Sequence, residues 1–158
     1  MKTTIFLGAM LSLLVCLMFT GCSNSETNST SRGLTDFAHI EEEYLATIDS
    51  LNWPDGIALP DKLEDEDTGA SFQVGYGETR ASYLWEYSWM KEWLDTYNTD
   101  PERAEKALEE LEKAFDMPYM GIDRCDDATR NYLRENIDKA KLGDPSGFTE
   151  SIRANYAN

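Results

Sequence analysis

The residue whose type and position could most readily do chemistry is Glu86, within the stretch "YLWEYSWMKEW". Trp85, Trp89 and Trp93 follow one another here at four-residue spacing. On a helical wheel Glu86 falls at about 140°, between Trp93 and Tyr97 and inside the apolar sector. Desolvation among aromatic rings raises the pKa of a carboxyl group, and groups with shifted pKa values cluster at functional sites. Glu86 is therefore the candidate acid/base or ligand-binding residue.

The same carboxylate also has a structural interpretation, which we favour. Glu86 could pair with a buried arginine, for which Arg80, Arg124 and Arg130 are available, or it could reach solvent at a gap. The sequence places no second carboxylate, histidine or Ser/His/Asp set beside it, so a glycosidase or hydrolase is unsupported. We expect no enzymatic activity. If a ligand site exists, its candidate residues are Glu86, Tyr76, Trp89 and Trp93.

Clustered carboxylates raise the question of a metal site. The run at 64–67 is acidic, and hard cations bind oxygen ligands. An EF-hand loop starting at Glu64 has Gly69 at its sixth position but Gly75 where the twelfth-position glutamate belongs. The acids of "DRCDD", residues 123–127, lie where a helix N-terminus favours negative charge. We expect no metal and no cofactor, although a cation-binding accessory protein using the run at 64–67 stays a third hypothesis.

Two weaker signals favour structural roles. The "GYG" at 75–77 precedes a predicted helix, as phosphate-binding loops do, but it matches neither GxGxxG nor GxxxxGK[ST]. Its glycines therefore predict a tight entry into the helix. Cys125 and His39 are far apart in sequence and are weak candidates for a thiol nucleophile, so we expect Cys125 to be a buried small hydrophobe.

The elements that must position these residues are helical. Apolar residues recur at helical spacing in five segments, and Asp-Pro pairs or glycine mark several of their ends. In the second segment apolar residues cover about two-thirds of the circumference, which predicts a central, buried helix. The predicted helices are Asp36–Ser50, Thr79–Tyr97, Pro101–Asp116, 126 or 127 to Leu142, and a short one through Phe148, Ile152 and Tyr156.

The third helix has the clearest pattern. Its alanines, leucines and Phe115 form one apolar stripe. Two favourable i,i+4 ion pairs are expected on its polar face, Glu102–Lys106 and Glu109–Lys113.

Residues 51–78 lack helical periodicity and form the longest irregular segment. Long loops in a compact domain are uncommon, and the apolar residues of this one predict that it packs across the bundle. Phe72 to Tyr76 alternate in polarity, which predicts a short extended stretch. The fold class is therefore all-α, a small bundle of about four to five helices with the irregular segment packed across it.

The first residues predict export. Lys2 precedes an apolar run from Ile5 to Phe19, which is the layout of a signal peptide and is short for a membrane span. "FTGC" then resembles the lipobox of bacterial prolipoproteins, with Gly21 before Cys22. This resemblance implies cleavage after residue 21, lipidation of Cys22, with palmitate among its acyl chains, and anchoring on the extracytoplasmic face of a bacterial cell membrane. An ordinary signal peptide, cut elsewhere to release a secreted protein, is the alternative.

The remaining chain divides into a tether and one domain. Residues 22–33 are small and polar and cannot form a core, so we expect a flexible tether followed by a single helical domain at 34–158. Without residues 1–21 the formal net charge is −17 rather than −16. Such acidity argues against a nucleic-acid partner and against binding to anionic lipids beyond the anchor. Envelope proteins or glycans are the expected partners.

A second resemblance covers residues 52–115. "NWPDGIALP", then "FQVGYGETRASYLWEYSWMKEWL", then an Ala/Leu/Glu helix is similar to uncharacterised secreted and lipid-anchored proteins of Gram-positive bacteria. The resemblance implies no activity, substrate or site residue. The sequence thus predicts a lipid-anchored, non-enzymatic binding or structural module of the cell envelope. The alternative is an envelope enzyme, or a glycan- or small-ligand-binding protein, whose site lies where segment 51–78 meets the Trp-rich helix.

Overall fold

The computed structural model describes residues 33–64 and 66–156. The predicted signal peptide, Cys22 and almost all of the tether lie outside these residues. The described part is helical, as predicted, with one two-stranded ribbon. Its elements are β1 (Leu34–Thr35), α1 (Phe37–Ser50), β2 (Phe72–Gln73), α2 (Tyr76–Thr96), α3 (Pro101–Glu112), α4 (Asp127–Lys141) and α5 (Ser146–Asn155). Two 3-10 turns, Lys113–Asp116 and Pro118–Met120, join α3 to the loop before α4.

Local capping explains where three of the helices begin. Asp36, Asp100 and Asp126 precede α1, α3 and α4, and each side chain accepts a hydrogen bond from the backbone N–H three residues later. These bonds satisfy N–H groups that lack partners within the helix. At the other end of α4, Gly143 has a φ of 80°, and its N–H bonds back to the carbonyl of Ala140. The predicted start signal of α3 and the predicted stop signal of α4 are therefore confirmed, whereas Asp36, predicted as the first residue of its helix, caps it.

Two predicted boundaries are wrong. The second helix was expected to begin at Thr79 but begins at Tyr76, one turn earlier. The third was expected to stay α-helical to Asp116, but its α-helix ends at Glu112 and its last turn tightens into a 3-10 turn. Met117 has an extended backbone before Pro118, as the proline ring requires, so the chain leaves the helix there.

Helix α2 is the central element, as its apolar circumference predicted. It packs against α1 on one side and against α3, α5 and the 3-10 turn at Pro118–Met120 on others. Two groups of buried side chains result. The smaller joins α1 to α2 through Ile40, Tyr44, Ile48, Leu63 and Ala81. The larger joins α2 to α3, α4 and α5, and its biggest members are Trp85, Trp89, Trp93, Tyr119 and Phe148.

The irregular segment packs across the bundle, as predicted. Leu63 is buried against α1, and Trp53 contacts both groups of core residues. Phe72–Gln73 is extended, but Tyr76, expected in the same stretch, is already helical. The antiparallel partner of this strand, Leu34–Thr35, was not predicted, because two residues are too few to show alternation.

Candidate functional site

Glu86 lies in the middle of α2, on the side that faces the turn at Pro118–Met120. Its side chain is only 8% exposed. The Tyr119 hydroxyl donates a 2.7 Å hydrogen bond to one carboxylate oxygen. The Tyr83 ring packs edge-on against the Tyr119 ring at 5.6 Å. The predicted setting, a carboxylate among aromatic side chains, is therefore present.

Burial dominates the protonation of this pair. It raises the pKa of Glu86 from 4.5 to about 7, while the bond from Tyr119 lowers it. Burial, and then the charge of Glu86, raises the pKa of Tyr119, so the phenol keeps its proton and stays a donor. Burial also raises the pKa values of Tyr83 and Tyr156, and the Glu86 charge contributes to both shifts. The cluster thus contains one group that changes charge near neutrality, namely Glu86.

The predicted arginine partner of Glu86 is wrong. Each candidate arginine binds a different carboxylate: Arg80 contacts Glu66, Arg124 contacts Glu78, and Arg130 contacts Asp127. A neutral phenol hydrogen-bonds the buried carboxyl group without adding a second charge to desolvate, which a buried arginine would require. This arrangement suits a structural carboxylate whose buried charge is held by one donor.

The other candidate ligand-binding residues make contacts within the domain. Trp89 and Trp93 are buried, at 1% and 2% exposed. The indole N–H of Trp89 donates to the carbonyl of Asn52 at 3.1 Å, and that of Trp85 donates to the same carbonyl at 2.7 Å. Segment 51–78 therefore meets the Trp-rich helix in a packed, hydrogen-bonded contact. Tyr76 lies at the other end of the segment, where its hydroxyl donates to Glu66 at 2.8 Å.

The backbone N–H groups of the two glycines at the start of α2 bind a carboxylate of the protein itself. The Glu43 carboxylate, on α1, accepts hydrogen bonds from the N–H of Gly75 at 2.7 Å and of Gly77 at 3.2 Å. Gly75 has a φ of 87°, which a residue with a Cβ rarely adopts. A Cβ on Gly77 would lie 1.8 Å from the carbonyl oxygen of Ile40. The two glycines thus give tight entry into the helix, as predicted, and let α1 and α2 approach closely.

The acidic run is divided among separate partners. Glu64 pairs with Lys62 at 2.8 Å, Glu66 pairs with Arg80 at 3.1 Å, and Asp67 accepts from the N–H of Gly69. Across residues 33–64 and 66–156, no three His, Cys, Asp or Glu side chains are grouped so that they could hold a metal ion.

The two thiol-site candidates also have separate partners. The thiol of Cys125 is 3.5 Å from the sulfur of Met120, while His39 contacts Glu43 at 3.3 Å. Burial raises the pKa of Cys125, although the residue is only partly buried, less than predicted. A raised pKa disfavours the nucleophilic thiolate.

A groove elsewhere on the domain was not anticipated. It lies between α3 and the end of α4, beside the end of α2, and has a volume of about 480 Å³. Ligand pockets usually span about 300–1,000 Å³. Trp93 and Tyr97, stacked with ring centroids 4.7 Å apart, line it from α2. Its remaining lining residues are Pro101, Ala104, Glu105, Leu108, Glu109 and Glu112 from α3, and Ala140, Lys141 and Gly143 from α4 and its end.

The groove is acidic at its rim. Its lining includes three glutamates against one basic side chain, Lys141, and that lysine contacts Glu112. The predicted pair Glu109–Lys113 is wrong, because Lys113 turns to the buried Glu110 at 2.7 Å. The predicted pair Glu102–Lys106 is also wrong, because the Lys106 ammonium lies over the Trp89 ring, 5.7 Å from its centroid. Glu105 and Glu109 consequently form no ion pair with any described residue.

One sequence signal could have indicated the groove. Glutamates recur at positions 105, 109 and 112, spaced i, i+4 and i+7 next to Leu108. That spacing puts them on one helical face beside the apolar stripe. The residues on the other side of the groove come from the end of α4, about thirty positions further on, and no local sequence pattern predicts them.

Comparisons with known proteins do not identify a family. No family model, curated protein or solved structure matches the chain. None of the helices in the part of the chain that the structure describes is both long and apolar enough to cross a membrane.

Proposed function

We propose that the protein is a lipid-anchored binding module on the extracytoplasmic face of the bacterial cell membrane, and that the groove between α3 and α4 is its binding surface. The groove is the observation that carries the binding role. It combines an apolar lining, from the half-buried Tyr97 and Leu108, with carboxylates that lack ion-pair partners. Sites of this kind bind ligands through apolar contact and use a few polar groups for orientation.

The anchor part of the proposal is supported by the sequence that precedes the domain. An acylated Cys22 would hold the protein firmly on the membrane, since each buried CH₂ contributes about 0.8 kcal/mol. The polar residues after it would give the domain a typical reach of about 18 Å from the membrane surface. The binding surface would then be presented to molecules of the cell envelope.

The anchor is tested by acylation in a bacterial host. The full chain is expressed with an alkyne analogue of palmitate, and incorporation and membrane retention are measured. We expect label in the wild type and in Cys125→Ala, which keeps the lipobox, and none in Cys22→Ala. Label that persists in Cys22→Ala, or an unlabelled wild type, contradicts the anchor.

The alternative, an envelope enzyme or glycan-binding protein, has less support. Its site would lie where segment 51–78 meets α2, and the indole groups there are already bonded to the Asn52 carbonyl. Glu86, its candidate acid/base residue, is bonded to Tyr119 and does not line the groove.

A further inference from the structure

We propose that the groove between α3 and α4 binds a basic amphipathic helix of a partner protein, an inference that rests on the proposed binding role of this surface. The helix would place its apolar face against Tyr97 and Leu108 and its lysines or arginines against Glu105 and Glu109. This mode of recognition, a helix lying in an apolar groove, recurs in peptide-binding proteins.

The length of the groove suits a helical segment. The lining residues of α3 extend from Pro101 to Glu112, and at 1.5 Å per residue this stretch spans about 16 Å. That is three helical turns, enough for apolar anchors at i, i+3 or i+4, and i+7 of a bound helix.

The charge of the groove determines the charge that a partner must carry. Three glutamates and one lysine give the lining a formal charge of −2. The lysine is already engaged by Glu112, which leaves Glu105 and Glu109 to face a ligand. A partner with acidic side chains would be repelled here, whereas basic ones gain both attraction and specificity. The formal charge of the whole chain, −16, adds attraction for basic partners at longer range.

An exposed leucine extends the apolar contact area. Leu142 lies between two lining residues, Lys141 and Gly143, and is 88% exposed. Gly143, with a φ of 80°, prevents α4 from continuing, and Leu142 is the exposed cap residue at the end of this helix. A large apolar side chain held at the edge of an apolar groove is a natural contact for the apolar face of a bound helix.

The proposal is tested with the full chain in lipid nanodiscs and a fluorescent Leu/Lys peptide of 14 residues, patterned as an amphipathic helix. Binding is followed by fluorescence anisotropy at low and physiological salt. Two control peptides are used, one with glutamate in place of lysine and one with the same composition in scrambled order. We expect micromolar binding of the patterned Leu/Lys peptide and at least about tenfold weaker binding of both controls.

Matched variants distinguish binding at the groove from attraction to the acidic surface as a whole. Glu105→Gln/Glu109→Gln removes two charges at the groove, and Glu135→Gln/Glu150→Gln removes two exposed charges outside it. We expect the first pair to weaken binding about five- to tenfold and the second less than twofold. Leu142→Ser, at a side chain that contributes little to the core, should weaken binding about threefold or more.

Three results would overturn the proposal. The first is no binding of the patterned peptide up to about 100 μM, and the second is equal weakening by the two charge variants. The third is concentration-dependent dimerisation of the wild type that Leu142→Ser abolishes, since the occupant would then be a second copy of the chain. Acylation of Cys22 is scored independently, so failure of the anchor and failure of the groove are distinguishable. A groove that binds neither the patterned peptide nor either control peptide would also remove the binding role proposed above.

Discussion

The Tyr119 hydroxyl donates a 2.7 Å hydrogen bond to the carboxylate of Glu86, across 33 residues of sequence. Among the described residues, the Tyr119 hydroxyl is the hydrogen-bond donor to this carboxylate, and Glu86 is only 8% exposed. Because burial outweighs this bond, the pKa of Glu86 rises to about 7. The charge of one buried group therefore depends on pH near neutrality, and stability should depend on it too.

We expect Glu86→Gln to flatten the pH dependence of stability between about pH 4.5 and 7. The pKa is higher in the folded state than in the unfolded state, so folding is favoured when Glu86 is protonated. The wild type should therefore lose stability as pH rises through this window, by roughly 3 kcal/mol if the whole shift is realised. Urea unfolding at pH 5 and pH 8 measures the loss. Glu135→Gln, at an exposed position on α4, is the control, and parallel curves for wild type and Glu86→Gln would contradict the prediction.

We expect Tyr119→Phe to destabilise the protein more at pH 8 than at pH 5. The substitution keeps the ring but leaves the ionised carboxylate without its donor, which costs about 1–3 kcal/mol. At pH 5 Glu86 is protonated, and the loss is smaller. Thermal unfolding at the two pH values tests this, with Tyr132→Phe as the control because its ring is 41% exposed. An equal loss at both pH values would show that the bond does not depend on the charge of Glu86.

We expect Gly77→Ala to destabilise the protein by about 3 kcal/mol or more. A Cβ at this position would lie 1.8 Å from the carbonyl oxygen of Ile40, so α1 and α2 must move apart. Gly69→Ala is the matched control, because its Cβ meets only the Asp67 side chain at 3.4 Å. Denaturant unfolding of both variants measures the difference. A Gly77→Ala protein as stable as Gly69→Ala would mean that the two helices are not so closely packed.

We expect Glu43→Gln to cost about 1–2 kcal/mol and Glu43→Ala more. The carboxylate accepts from two N–H groups at the start of α2, where negative charge is also favoured by the helix dipole. Glutamine keeps one oxygen acceptor but no charge, whereas alanine leaves both N–H groups unpaired. Chemical denaturation measures these losses, and Glu42→Ala, at an exposed neighbour, should change stability by less than about 0.5 kcal/mol. If Glu42→Ala costs as much as Glu43→Ala, the capping role is wrong.

The sequence predicted what depends on neighbouring residues. Asp100 and Pro101 indicate the start of α3 because capping and the proline ring act within one turn. The central position of α2 followed from its apolar circumference, and the burial of Glu86 from its place in that circumference. Each of these inferences uses residues within a few turns of one another.

Contacts between distant segments could not be predicted in the same way. The "GYG" at 75–77 predicted tight entry into the helix but not its carboxylate partner, because Glu43 lies 32 residues before Gly75 and is one of three glutamates on α1. Tyr119 reaches Glu86 because a 3-10 turn follows α3, and this turn was predicted as the continuation of the helix. The groove is lined by residues of both α3 and α4, so it could be recognised only once the packing of these two helices was known.

Hydrogen bonds fix both ends of the irregular segment to the helices. Two indole N–H groups hold the carbonyl of Asn52, and Glu43 holds the N–H of Gly75, while residues 58–62 are exposed. Lengthening a loop whose ends stay fixed costs only about 0.6 kcal/mol for each doubling of its length. We therefore expect an epitope or reporter peptide inserted after Pro60 to be displayed on the surface, with the helices on either side still folded.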